Sequence, residues 1–260
     1  MVRFGTIVLA ILVLGFSSED ALETPQEIQA CLARNSPRIS SIQRVQMRTF
    51  DRVGGERSFE AKIYWKRGEV GLSKLLVRVD DPPDLRGAAY LAIERPETVE
   101  MFTYLPEIKR VRRIHSRSIS GSFLGTDFSY EDLVRLQDMA GRSNLERLPD
   151  SDVGGRATYV LAAQPEATAE SSYVRIVAFV DQETCVLLKA EFFGEGGKPI
   201  KRLVADGESL TDEGGIWIAR TVTMRDLVGG GESQIVVKKI RFDVDIPDRE
   251  FSHSQLSRHR

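Results

Sequence analysis

Apolar and polar residues alternate along most of this chain. Val45, Met47 and Thr49 oppose Arg44, Gln46 and Arg48, and Ile63 and Trp65 oppose Lys62, Tyr64 and Lys66. Leu75, Val77 and Val79 oppose Arg78, and Ala89, Leu91 and Ile93 follow. Period-2 alternation marks strands with one wet face and one dry face. Further runs cover residues 101–105, 109–114, 158–163, 173–181, 185–193, 200–205, 216–227 and 234–244. Turn signals separate them, among them Gly54-Gly55, Pro82-Pro83, Gly154-Gly155 and Gly229-Gly230-Gly231. Connections this short force antiparallel neighbours, because parallel pairing needs a long crossover. The pattern predicts a mainly β protein, one large antiparallel meander of about 11 strands. A sheet that wide twists and must curl, either into a closed barrel or into an unclosed half-barrel with a plug.

Two segments depart from the alternation. Thr24-Pro25-Gln26-Glu27 reads as a capping box with Pro at the first helical position. Ile28, Cys31 and Leu32 then share one helical face, and Asn35 and Pro37 end the helix. The second departure is residues 115–141. Ser129 and Asp132 stand at capping-box spacing, and Phe128 and Leu133 take the staple positions around that cap. A helix is predicted from Tyr130, with Leu133, Leu136, Gln137, Met139 and Ala140 around its inner side. Ahead of it, residues 118–125 are rich in Gly and Ser, with Ile119, Phe123 and Leu124 interleaved. Such a loop fits a lid or docking element with exposed apolar residues, or a plain strand-to-helix connection. Loop and helix together are the candidate plug.

The first residues belong to neither pattern. Met1-Val2-Arg3 leads into an apolar run at residues 4–16, and polarity returns at Ser17-Ser18-Glu19-Asp20. This is the layout of a secretory signal over residues 1–21, with cleavage expected after Ser17 or Ala21. The run is shorter than the roughly 20 apolar residues a membrane-spanning helix needs, and an uncleaved anchor is the competing reading. Residues 22–252 would then form one exported, periplasmic domain, and residues 253–260 a flexible polar tail. An oxidising compartment lets Cys31 and Cys185 bridge; two separate buried thiols are the alternative.

Composition narrows the function classes. The chain is 42% hydrophobic and 28% charged, which excludes collagen-like and charge-driven disordered proteins. Lys plus Arg is 36 against 38 for Asp plus Glu, so no nucleic-acid partner is expected. The three histidines are His115, His253 and His259, and no nucleophile elbow, Cys-x-x-Cys, His-Glu-x-x-His or Walker loop occurs. No catalytic residue, metal site or cofactor is expected. The densest basic stretch is Lys109-Arg110-Val111-Arg112-Arg113, whose alternation puts charge on both faces. It fits a solvated strand, or a docking surface for an anionic headgroup or an acidic partner.

Two blocks carry a family likeness. Residues 104–114 read Tyr-Leu-Pro-Glu-Ile-Lys-Arg-Val-Arg-Arg-Ile, and residues 120–133 read Ser-Gly-Ser-Phe-Leu-Gly-Thr-Asp-Phe-Ser-Tyr-Glu-Asp-Leu. With Tyr64-Trp65-Lys66-Arg67 and the closing Ile246-Pro247-Asp248-Arg249, they resemble the outer-membrane lipoprotein-sorting proteins of the LolA-like superfamily. The resemblance covers most of residues 22–252, and its specific part is 123–132. It implies an unclosed antiparallel half-barrel with helices over its mouth and an apolar interior that cradles acyl chains. It further implies a monomeric periplasmic carrier of lipid or lipoprotein acyl chains, without catalysis. By alternation the acyl-facing side would include Met47, Ile63, Trp65, Val77, Leu91, Ile176, Val180, Leu188 and Phe192. Phe123, Leu124, Phe128 and Tyr130 would serve as lid, and Lys109, Arg110, Arg112 and Arg113 as docking residues. The resemblance also suggests an alternative, a non-carrier accessory subunit docked on an RND/MMPL-family inner-membrane exporter. The dedicated carrier's functional arginine has no aligned counterpart here.

Overall fold

The structure is a computed structural model that describes residues 22–68, 71–136, 143–166 and 171–258. The signal segment with its two candidate cleavage sites lies outside those residues, as do Gln137, Met139 and Ala140 of the expected helix. The chain opens with helix α1 (Pro25–Ala33) and strands β1 (Ser40–Phe50), β2 (Glu56–Arg67), β3 (Ser73–Asp81), β4 (Ala89–Glu94), β5 (Val99–Leu105) and β6 (Arg110–Ile114). Helix α2 (Tyr130–Arg135) precedes β7 (Ser143–Val153), β8 (Arg156–Pro165), β9 (Arg175–Asp181), β10 (Leu187–Phe193) and β11 (Pro199–Ala205). The short β12 (Leu210–Asp212) and β13 (Trp217–Ala219) come next, then β14 (Thr221–Asp226) and β15 (Glu232–Phe242).

Thirteen of these strands form one antiparallel sheet in the order β6-β5-β4-β3-β2-β1-β15-β14-β11-β10-β9-β8-β7, and β12 pairs with β13 apart from it. An open sheet rarely exceeds about ten strands without curling. This one stays unclosed, with β6 and β7 as its edges. It is two meanders rather than one. β1 to β6 step out to one edge, and β7 to β15 step back from the other. The first and last strands pair at the centre, with Met47 opposite Ile235. The chain passes from one edge to the other once, through the segment that interrupts the alternation.

Alternation sorts the side chains onto two faces. Val45 and Met47 of β1, Ile63 and Trp65 of β2, and Leu75, Val77 and Val79 of β3 are buried in the main core. α1 adds to the same face at one end, where Ile28 packs on Tyr159, Leu161 and Val180. Its capping box forms as expected: Thr24 Oγ1 accepts from Glu27 N, and Glu27 Oε2 accepts from Thr24 N. Cys31 on this helix is bonded to Cys185, 154 residues on.

Three expectations change. First, β7 is a strand that the polarity pattern does not reveal. It is an edge strand with no fully buried residue, and a register shift after Leu148, beside Pro149, cuts its alternation short. Second, the run at 216–227 is two strands, β13 and β14, broken at Arg220. Third, residues 253–258 are docked rather than a free tail. Leu256 is 1% exposed and packs with Ile246 and Phe251 on Leu76, Leu91 and Tyr104, on the opposite face of the sheet. Arg78 donates to the carbonyls of Gln255, Leu256 and Arg258.

Candidate functional site

Six of the nine candidate acyl-facing residues come together. Met47, Ile63, Trp65, Val77, Ile176 and Phe192 share the main core face. Val180 follows Ile176 at even spacing and lies on that face too, whereas Leu188 sits at a bulge between Leu187, opposite Val180, and Lys189, opposite Phe179, where alternation no longer assigns a face. Each sits in a smaller cluster, Val180 under α1 and Leu188 against Ala205. Leu91 does not belong. Its neighbours Tyr90 and Ala92 point to the main core, and Leu91 is buried under the C-terminal segment. All four residues from Ala89 to Ala92 are buried because both faces of β4 are covered, and alternation vanishes there.

The segment that interrupts the strands fills this face. Residues 122–129 form a hairpin-like loop, with a bridge between Ser122 and Ser129 and a bond from Phe123 N to the Phe128 carbonyl. At its tip Leu124 (φ 50) and Gly125 (φ 77) are left-handed, a conformation that costs a bulky residue of order 1–3 kcal/mol. The Thr126 hydroxyl closes the turn by donating to the Phe123 carbonyl at 2.7 Å. Phe123 is 2% exposed and Phe128 0%, so these residues are anchors rather than an exposed lid. Phe123 meets Phe59, Tyr90 and Tyr130 at centroid distances of 6.0–6.1 Å. α2 starts at Tyr130 with the capping box between Ser129 and Asp132 in place, and Leu133 and Val134 face the core.

Three polar ties hold this plug to β11, to β15 and to the residues just ahead of β9. Asp132 is 1% exposed. Its Oδ1 accepts from the Tyr173 hydroxyl at 2.7 Å, and its Oδ2 from Lys201 Nζ at 2.9 Å and Ser129 N at 2.7 Å. Glu131, also 1% exposed, accepts from Arg135, from the Ser171 hydroxyl at 2.6 Å and from Ser172 N at 2.9 Å. The third tie joins the loop to β15: Asp127 N donates to Ser233 Oγ at 2.9 Å, and that hydroxyl donates to Asp127 Oδ2 at 2.6 Å. Gly231 permits this approach, since a Cβ there would meet Asp127 Oδ1 at 2.3 Å. Buried carboxylates persist only when paired and hydrogen-bonded, as these are. Burial, and then the Asp132 charge, push the Tyr173 phenol far above the usual tyrosine range, so it stays a donor. Every carboxylate oxygen of Asp132 and Glu131 is thus engaged by a donor, which holds the plug in place.

A cleft of about 250 Å³ opens beside the Asp132 tie, lined in part by Ser120, Ser172, Tyr173 and Lys201. The basic residues lie elsewhere. Arg110, Arg112 and Arg113 are exposed on the edge strand β6, and Lys109 is in the turn before it. Among the described residues no His/Cys/Asp/Glu cluster is arranged to hold a metal, and no helix is long and apolar enough to cross a membrane. Sequence reasoning missed the ties. A signal was present in Glu131-Asp132, two acids inside a segment otherwise buried, but their partners Ser171, Tyr173 and Lys201 are 40 to 70 residues away.

The plugged half-sheet has counterparts. A family model described as "Uncharacterized protein" matches residues 71–258, well over half of the chain. No curated protein matches. Among solved structures, a putative outer membrane lipoprotein-sorting protein domain from Vibrio parahaemolyticus is 27% identical, with a TM-score of 0.81 over 89% of this chain and 97% of that one. A DUF1329 family protein from Desulfovibrio piger is 25% identical, with a TM-score of 0.82 over 89% of this chain and 97% of that one. A LolA superfamily protein from Nitrosomonas europaea is 21% identical, with a TM-score of 0.72 over 90% and 99%, a likeness of fold. The chain belongs to the family of that model, and it shares its fold with a lipoprotein-sorting protein domain, a DUF1329 family protein and a LolA superfamily protein.

Proposed function

We propose that this protein is a non-catalytic periplasmic carrier for the acyl chains of a lipid or lipoprotein. The observation that carries the reading is an apolar sheet face closed by a separate segment rather than by strands, with polar ties holding that segment in place. The lipoprotein-sorting name of the Vibrio neighbour supports the same reading. The described state is the closed one, in which the plug occupies the position an acyl chain would take. Energetics favour an exchange. A buried methylene gains about 0.8 kcal/mol and a buried Phe or Leu side chain about 1.5–3 kcal/mol. A chain of about twelve methylenes therefore matches the four plug anchors Phe123, Phe128, Leu133 and Val134 to within a few kcal/mol. Such near-balance lets cargo load and leave.

The tie between Asp127 and Ser233 supplies the test. Cysteines at both positions would clamp the plug to β15 on oxidation. The oxidised double variant is expected to exclude a fluorescent fatty acid that the reduced form takes up, with the reduced parent protein as control for the Cys31–Cys185 bond. Equal uptake by clamped and free forms, or no uptake and no lipid extractable from protein purified from its own envelope, would sink the carrier reading.

A further inference from the structure

One edge of the sheet is built from the most basic stretch in the chain. β6 pairs with β5 on one side and ends the sheet on the other. Register fixes where its side chains go. Ile114 lies opposite Met101 and both are in the main core, so Arg110 and Arg112 point to that same face beyond it. Arg113 and Val111 take the other face, where Val111 packs beside Tyr104. Lys109, Arg110, Arg112, Arg113, His115 and Arg117 are all exposed. Among the described residues, Arg113 alone of these meets a carboxylate, Glu100 at 3.7 Å. Edge strands are often guarded by a charge or two against self-pairing. A row of like charges with Glu100 as its one counter-charge among the described residues exceeds that need, because like charges in close register destabilise a sheet.

We propose that the free edge of β6 accepts an acidic, extended segment of a partner protein as an added strand. Main-chain hydrogen bonds along the edge would give affinity, and side chains alternating on both faces would give specificity. The charge layout favours a strand over a membrane. A flat anionic bilayer meets one face, whereas these arginines flank the edge on both, where an added strand would place its own side chains. The inference stands independently of acyl-chain carriage.

The test uses the full chain and a fluorescein-labelled peptide of about ten residues with alternating Glu and Val, long enough to cover one strand. A second peptide has the same composition with alternating L- and D-residues, which keeps the charge and forbids a regular strand. The all-L peptide is expected to bind at least about tenfold tighter than the mixed one, and to lose at least about tenfold on replacement of Glu by Gln. Arg110→Glu with Arg112→Glu should weaken it similarly, with circular dichroism unchanged. Binding should also raise amide protection in residues 110–114. Equal binding of the two peptides, no binding, or binding only to phosphatidylglycerol vesicles would overturn the proposal. The peptide comparisons need no protein variant, so a misfolded double variant does not blunt the test.

Discussion

Asp132 shows how much one side chain can be asked to do. It caps its own helix, pairs with Lys201 and accepts from Tyr173, all while buried. Removing one partner of a buried pair strands the other, which costs about 3–5 kcal/mol. Asp132→Ala is therefore expected to lose about that much in denaturant unfolding, and Asp132→Asn, which keeps the cap, should lose less. Asp181 offers a test by pH. Burial alone would raise its carboxyl, but hydrogen bonds from Arg156 and Thr184 outweigh that and hold it below the ordinary aspartate value. A depressed folded pKa stabilises above the unfolded value of about 3.9, and that stability fades as pH falls through the folded value. Arg156→Gln removes the main depressing contact. Its acid-unfolding midpoint, followed by circular dichroism, should move to higher pH. An unmoved midpoint would mean the pair adds nothing.

At the scale of elements, the plug is the least ordinary piece. Its start was readable because capping box and staple are local rules, satisfied within six residues of chain. Its destination was not, because nothing local says that Phe123 and Phe128 are core rather than surface. Phe128 is fully buried, and Phe128→Ala should cost about 3–5 kcal/mol by the transfer and cavity terms. If the plug is a separable unit, hydrogen exchange should accelerate in residues 119–136 more than in β2 or β15. Uniform acceleration would instead make the plug an inseparable part of the core. β7 teaches the reverse lesson. An edge strand with Leu145 and Leu148 half-buried and a register shift after Leu148 has too short an alternation to read, and its pairing with β8 reveals it.

Over the whole molecule, the two meanders place the first and last strands at the centre and the seam at the edges. The plug belongs to the stretch of chain that links those edges. The opposite face has its own cover. Ile246, Phe251 and Leu256 close over Leu76, Leu91 and Tyr104, and Lys66 and Lys74 pair with Asp248 above them. Truncation after Ser252 removes Leu256 and the carbonyl acceptors of Arg78. The shortened chain is expected to melt several degrees lower, since one buried Leu is worth about 2–5 kcal/mol. An unchanged melting temperature would show this segment to be decoration.

Alternation by itself determined that this protein is mainly β and antiparallel, where most strands lie, and that residues 115–141 stand apart. It did so because half-buried strands must repeat every two residues and short turns leave no room for crossovers. Local capping rules determined where α1 and α2 begin. Tertiary structure decided the rest. On β4 the period disappears, because plug and C-terminal segment bury both faces, and only the register opposite β3 assigns Leu91 to one side and Tyr90 to the other. Tertiary structure also joined Cys31 to Cys185 and brought Lys201, Tyr173 and Ser233 onto the plug. Those contacts span 41 to 154 residues of chain. No pattern of spacing encodes them; they follow from where the curled sheet carries each strand.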